Sequence, residues 1–162
     1  MSRIIEVDDM NEKLKYCIVL RNHIKDIQEI LNKLSFKLIN RGKEHDDSKF
    51  KDPEFSEFSQ TVEMDSLIEY GSEEHKNKQK KLEGVINLHH YNNTHHPEHW
   101  ENGIEDMTLL DLLEMITDWS VASKKYKNGD VYKSLDINCK KYSISPQLKK
   151  ILLNIIEREI NT

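Results

Sequence analysis

Turn-forming residues are scarce in this chain, and their scarcity limits the folds that it can adopt. Only five Gly and three Pro occur among its 162 residues. The apolar residues recur mostly at three- and four-residue steps instead of alternating, which is the spacing of helices that bury one face. We therefore predict an all-α fold, a single-domain bundle of about six helices that comprises residues 1–162.

The longest helix is predicted over residues 9–40. We expect Arg41-Gly42 to end it, because glycine readily adopts the left-handed conformation that closes helices. His23 is four residues before Ile27 and therefore lies at the edge of the face predicted to be buried. That face is a broad apolar stripe of Leu14, Cys17, Ile18, Leu20, Ile24, Ile27, Leu31, Leu34 and Leu38.

Later helices are predicted from residues whose side chains can cap a helix N-terminus. Thr108 and Asp111 are the clearest pair, because threonine followed three residues later by an acid resembles a capping box. A short helix is expected to carry His45 and Asp46. The other predicted helices are residues 72–91 with Ser72 as N-cap, 108–127, 130–142 with Asp130 as N-cap, and 146–160 with Ser145 as N-cap.

Composition narrows the possible partners and the cellular compartment. Charged residues make up 33% of the chain but the net charge is only -5, so there is no basic field to hold duplex nucleic acid. No stretch approaches the roughly 20 apolar residues of a membrane span. The acidic N-terminus and two widely separated cysteines are typical of a cytoplasmic protein. We expect a small-molecule partner and, as a possible assembly, a homodimer.

The dipeptide His45-Asp46 is the strongest indication of chemistry. An adjacent imidazole and carboxylate can hold one divalent cation together. His23 on the preceding helix and Asp118 on a later one are candidates to complete the ligand set. Asp118 lies between Ile116 and Trp119, where an acid that points inward needs a cation or several donors. The alternative is that each of these residues is a separate surface or capping residue.

The order His, His-Asp and a later Asp resembles the HD superfamily of metal-dependent phosphohydrolases. The resemblance covers about residues 14–126, leaves the helices at about 130–160 outside, and implies that His23, His45, Asp46 and Asp118 bind one cation. The run His45-Asp46-Asp47-Ser48-Lys49 is similar to the His-Asp-x-Gly-Lys form of HD-GYP-like members, which implies that Lys49 faces the scissile phosphate. The 5'-deoxynucleotidase branch usually has glutamate at that position, so the chain departs from that branch.

Some members of the HD superfamily bind two metals and have additional histidines between the His-Asp pair and the last aspartate. Five histidines lie in that interval here: His89, His90, His95, His96 and His99. We expect His90 and His96 to hold a second cation, with Asp46 bridging the two. The alternative is a histidine-rich surface loop held by Trp100. The Gly-Tyr-Pro element is missing, so cyclic-di-nucleotide hydrolysis is not supported.

These residues predict a phosphohydrolase that acts on a nucleotide or another small phosphate ester through a metal-activated water. The cofactor would be one or two ions of Mn, Fe, Co, Ni, Zn or Mg. Asp46 and Lys49 are the expected catalytic residues, and Lys49, Lys124 and Lys133 are expected to bind substrate. Two alternatives remain: an HD-like di-iron oxygenase, and a non-catalytic helical module that binds a nucleotide or a protein and uses the metal as a structural element.

Overall fold

The computed structural model describes residues 2–61, 67–127 and 129–161, and every regular element in these ranges is a helix. The predicted all-α class is confirmed. The chain forms two compact units, Met1–Lys43 and Glu44–Thr162, where the sequence predicted a single domain.

Residues 2–43 of the first unit belong to one helix, α1, at Ser2–Glu44. The helix continues through Gly42, so the predicted stop at Arg41-Gly42 is wrong. Its apolar stripe is exposed, with 54% exposure for Ile24 and 56% for Leu31, because a unit of a single helix contains no second element to cover it. Over the described residues, no helix combines the length and apolarity that a membrane crossing requires.

The described residues of the second unit form six α-helices and several short turns of other helix types. The predicted N-caps are confirmed, since Ser72 and Ser145 each accept a backbone N–H three residues on, and Thr108 and Asp111 form the complete capping box. The α-helices are α2 Glu54–Ser59, α3 Glu73–Lys81, α4 Glu83–Asn92, α5 Leu109–Ser123, α6 Val131–Lys141 and α7 Pro146–Ile155. Short 3₁₀ helices occupy Asp47–Phe50, Pro97–His99 and Gly103–Asp106, and Ile156–Ile160 forms a π-helical turn.

Two predicted elements differ in the structure. The helix expected over residues 72–91 is divided at Leu82, whose backbone leaves helical geometry at φ -98° and ψ 9°. His45 and Asp46 lie in a turn instead of a short helix, and Asp46 has the left-handed φ of 59°. Aspartate tolerates this conformation better than most residues because its short polar side chain can bond locally.

The hydrophobic core of the second unit fixes the orientation of α5. Met115 and Ile116 on α5 are fully buried and pack with residues of α6 and α7, including Leu135 and Leu152. Because α-helical side chains repeat every 3.6 residues, Glu114 and Asp118 lie one turn apart on the same side of α5. The packing of α5 therefore determines where these two carboxylates are presented.

Replacing Leu135 by Ala is expected to destabilise this unit by about 2–5 kcal/mol, because it leaves a cavity at a site that is 1% exposed. Urea denaturation followed by circular dichroism measures the loss. Leu109→Ala is the matched control: Leu109 is 75% exposed, so its truncation should change the free energy of unfolding by less than about 0.5 kcal/mol. Equal losses in the two variants would contradict this account of the core.

Candidate metal centre

Asp46 occupies the turn that leads into the 3₁₀ helix Asp47–Phe50. The backbone N–H of Lys49 donates to the carbonyl oxygen of Asp46 at 2.8 Å, which closes the turn. The side chain of Lys49 folds back onto the same residue, with Nζ 2.6 Å from Asp46 Oδ2. The left-handed backbone and this short loop place the Asp46 carboxylate and the Lys49 ammonium side by side.

Three imidazoles surround the Asp46 carboxylate, and each presents its Nε2 atom to it. His89, on α4, has Nε2 at 3.3 Å from Asp46 Oδ1. His95, in the loop after α4, has Nε2 at 3.5 Å from the same oxygen. The Nε2 atom of His45 lies 3.5 Å from Asp46 Oδ2. Asp46 thus has one oxygen facing two imidazoles and the other facing a third.

Each of these imidazoles has a carboxylate on its opposite nitrogen. Glu114 Oε1 lies 2.8 Å from His45 Nδ1 and 3.2 Å from His95 Nδ1. Glu54 Oε2 lies 2.8 Å from His89 Nδ1, in a side chain that is only 2% exposed. A carboxylate on Nδ1 favours the tautomer with its proton there and leaves the Nε2 lone pair free to bind a metal. The three lone pairs then all point towards Asp46.

Glu54 is itself held by further polar groups. Its Oε2 accepts a hydrogen bond from the Ser48 hydroxyl at 2.8 Å, and its Oε1 accepts one from the Asn92 amide at 3.0 Å. Burial would raise the pKa of Glu54, but these bonds and the one with His89 hold that pKa below its usual value. The carboxylate behind His89 therefore stays ionised and fixed in place.

Asp118 completes the group around His45. Its Oδ1 lies 3.6 Å from His45 Nε2, so this nitrogen stands between the carboxylates of Asp46 and Asp118. Asp118 is one helical turn after Glu114 on α5, and the two acids contact opposite sides of the same imidazole. Three of the four ligands predicted for the first cation, His45, Asp46 and Asp118, meet in the structure.

The histidines beside Asp46 differ in part from those predicted. His96 belongs to the set Asp46, His89, His95 and His96, in which one ligand atom from each residue lies within 4.8 Å of all the others. His90 belongs instead to a set with His96 and Glu98. The role of His90 and His96 in holding a second cation with Asp46 stays a prediction, and His89 and His95 are the residues whose Nε2 atoms face Asp46. Consecutive residues on a helix point about 100° apart, and the packing of α4 turns His89 inward.

The remaining predicted site residues lie elsewhere. His23 is exposed on α1 of the first unit, whereas every member of the sets described above belongs to the second unit. Lys133 forms an exposed ion pair with Glu69. Lys124 caps the C-terminus of α5 and is exposed. The roles proposed for these three residues stay predictions, and Lys49 is the lysine that adjoins Asp46.

Glu54 and Glu114 are functional candidates that the sequence did not reveal. Glu54 follows a proline in a segment between predicted helices, and Glu114 sits on a helix whose other residues are mostly apolar. A buried glutamate inside an apolar helix resembles the signal that singled out Asp118, so Glu114 could have been found the same way. Glu54 has no comparable local signal.

Comparison with known proteins places the chain in a family. The model of a family of unknown function, DUF5662, matches residues 12–158. The chain belongs to the DUF5662 family. Among curated proteins and among solved structures, none matches it. DUF5662 has no assigned activity, so the chemistry of this member has to be argued from the site itself.

The electrostatics of this DUF5662 site favour positive charge near His45. The neighbouring carboxylates of Asp118 and Glu114 raise the pKa of His45 to about 10, against an opposing effect of burial. Burial would raise the pKa of Asp46, but His89 and Lys49 hold it well below its usual value. Burial, then the neighbouring His95 and His90, lower the pKa of His96. Asp46 and His96 are thus held in the ionised and neutral forms that bind metals, whereas at His45 the two carboxylates favour a positive charge, which a bound cation would supply in place of the proton.

The donor set fits a divalent cation. Within the described residues, Asp46 Oδ1 and His95 Nε2 are buried side-chain atoms without a hydrogen-bond partner, and they lie 3.5 Å apart. A buried polar atom without a partner costs about 1–3 kcal/mol, and a cation between these two atoms would satisfy both. Imidazole nitrogens with carboxylate oxygens suit Mn, Fe, Co, Ni or Zn. The His/Asp cluster of the DUF5662 chain could therefore bind a metal.

Removal of metal is expected to lower the thermal stability of the DUF5662 protein. A cation present at about 1,000 times its dissociation constant contributes about 4 kcal/mol to the folded state. For a chain of this size that corresponds to a melting temperature about 8–16 °C lower after metal removal. Differential scanning calorimetry before and after dialysis against a chelator measures the change, and re-addition of Mn should reverse it. If neither chelation nor the addition of any of these metals changes the melting temperature, the proposed metal site is wrong.

Proposed function

We propose that this protein is a metal-dependent phosphohydrolase that acts on a nucleotide or another small phosphate ester. The observation that carries the proposal is the arrangement around Asp46: three imidazoles, each with a carboxylate on Nδ1 and its Nε2 towards Asp46. Histidines with a purely structural role would not need to direct their Nε2 atoms at one shared carboxylate. Carboxylate-backed histidines are the usual ligands of metal centres in proteins.

The protein residues fall into two groups around the proposed centre. His45, Asp46 and Asp118 form the first, and His89, His95 and His96 form the second. Asp46 belongs to both, because its two oxygens face different imidazoles. This division supports two cations with Asp46 between them, and the order of His45, Asp46 and Asp118 along the chain agrees with the resemblance to the HD superfamily.

A bound divalent cation supplies charge that activates water near neutral pH and offsets negative charge on the phosphoryl oxygens. In the hydrolysis, a new P–O bond forms to the water oxygen and the ester P–O bond breaks. One proton of the water passes to the leaving oxygen and the other stays on the phosphate. Lys49 adds a positive charge beside Asp46, where its Nζ can bind a phosphoryl oxygen. Glu54 and Glu114 are positioning residues, since they hold the imidazoles rather than the substrate.

The proposal is tested by elemental analysis of protein purified without chelator, followed by a panel of phosphate esters with Mn, Co or Ni added. We expect release of inorganic phosphate that depends on the metal and stops on chelation. Dioxygen consumption with iron and no phosphate release would support the di-iron oxygenase instead. Tight nucleotide binding without turnover would support the non-catalytic module. Either result overturns the phosphohydrolase proposal.

A further inference from the structure

A cavity of about 510 Å³ lies directly beside the proposed metal centre. Lys49 and Asp118 belong both to its wall and to the surroundings of Asp46 and His45. A molecule with its phosphate at the centre would therefore extend into this cavity. Lys49 is within 5.6 Å of the Phe58 ring centroid, so Phe58 forms the wall at the same end.

The far end of the cavity lies two helical turns from Asp118. One side of the cavity is lined by α5 and the turn that follows it. The residues that line it there are Asp118, Ala122 four residues later and Lys125 three residues after that, which is a helical spacing. At 1.5 Å per residue, Lys125 is about 10 Å from Asp118 along the helix axis. The adjacent Tyr126 contacts His75 of α3, with ring centroids 5.1 Å apart. Lys78, one turn after His75, therefore belongs to this far end as well.

The charges of the cavity wall favour an anion. Among the described residues that line it are three lysines, Lys49, Lys78 and Lys125, and one carboxylate, that of Asp118, while Lys49 is also paired with Asp46. A second cavity of about 520 Å³ adjoins Glu54, behind His89, and has the opposite character. Four carboxylates line this second cavity, together with a single lysine, so an anionic substrate would be repelled from it. Of these two cavities, the first therefore suits a phosphate ester better than the second.

The part of the cavity between the two ends is apolar and aromatic. Leu82 and Ile86 line it from the α3–α4 side, and Ala122 lines it from α5. Tyr126 is part of a three-ring cluster with Tyr70 and His75, in which centroids are 4.7 to 5.3 Å apart. The rings of this wall pack against one another. Such a wall suits a flat aromatic group of a ligand better than a strongly hydrated polar group.

We infer that this cavity binds the non-reacting part of the substrate, and that the substrate carries a second anionic group about 10 Å from the scissile phosphate. The scissile phosphate binds at Lys49, an aromatic body packs between Phe58 and Tyr126, and the second anion binds at Lys125 and Lys78. This assignment rests on the proposed function and adds to it the class of substrate. It predicts selectivity for an aromatic phosphate ester that carries a second anionic group over the analogue that lacks this group.

The test compares naphthyl phosphate with a carboxynaphthyl phosphate that bears its carboxylate at the opposite end of the ring system. For the metal-loaded protein we expect a KM about tenfold lower for the carboxylated ester, since a charge-assisted hydrogen bond contributes about that factor. Lys125→Gln should remove this preference and Lys125→Glu should reverse it. Lys127→Gln is the matched control, because Lys127 is exposed and does not line the cavity.

Calorimetric binding of the same two esters separates this inference from the proposed function. If phosphate is released from both esters but Lys125→Gln leaves their KM ratio unchanged, the substrate assignment is wrong and the hydrolase proposal stands. If no phosphate is released but the carboxylated ester binds about tenfold more tightly, and Lys125→Gln abolishes that difference, the binding site is supported and the hydrolase proposal is wrong. Equal binding of both esters overturns the inference.

Discussion

If the proposed metal centre and phosphatase activity are present, the substitution Asp46→Asn is expected to reduce that activity by about 10³-fold and to remove most of the metal. Asp46 is the residue whose two carboxylate oxygens face imidazoles on both sides of the proposed centre. Asparagine keeps the size of the side chain but carries no negative charge and has only one acceptor oxygen. A metal contributes several kcal/mol of transition-state stabilisation, and about 4 kcal/mol corresponds to a factor of about 10³ in rate.

The measurement is metal content by elemental analysis together with kcat/KM on the best phosphate ester. Asp47→Asn is the matched control, since it removes the same charge from the adjacent position, where the side chain is exposed and belongs to no candidate ligand set. Circular dichroism should show unchanged helicity in both variants. An Asp46→Asn protein with wild-type metal content and activity would rule out the metal centre proposed here.

Glu114→Gln is expected to weaken metal binding by about 10–100-fold while the fold is retained. One oxygen of Glu114 lies near the Nδ1 atoms of both His45 and His95. Glutamine is neutral and is a weaker acceptor, so both imidazoles lose the partner that fixes their tautomer and orientation. Loss of such an outer carboxylate typically lowers metal affinity or activity by this factor.

Titration of the metal-free protein with Co, followed by its visible absorption, measures the affinity and reports the ligand geometry. Glu83→Gln is the control, because Glu83 is exposed at the start of α4. A structural role alone would change the melting temperature without changing the Co spectrum or affinity. That outcome would show that Glu114 does not orient the imidazoles.

Local sequence signals predicted much of the secondary structure. The caps at Ser72, Thr108 and Ser145 were correct because an N-cap bonds to a backbone N–H only two or three residues away, an interaction that needs no tertiary context. The predicted helix end at Gly42 was wrong because it was based on glycine alone. Glycine permits a left-handed residue but does not impose one, and α1 continues through it.

Some residues of the candidate site could be predicted from their neighbours in the sequence. His45 and Asp46 are adjacent, and Asp118 is an acid in an apolar helix, so each could be recognised from its neighbours. The choice between the members of each histidine pair could not be made this way. His89 and His90 differ by one position on a helix, and only the packing of α4 decides which of them is turned towards Asp46.

The sequence by itself determined the helical class, the starts of most helices and the identity of the central His-Asp pair. Only the tertiary structure decided that Glu114 contacts His45 across 69 residues of chain and that Glu54 contacts His89 across 35. Capping and periodicity act over a few residues and are written in the local sequence. Contacts between distant carboxylates and imidazoles depend on how whole helices are oriented by the core, and that orientation is a collective result of packing.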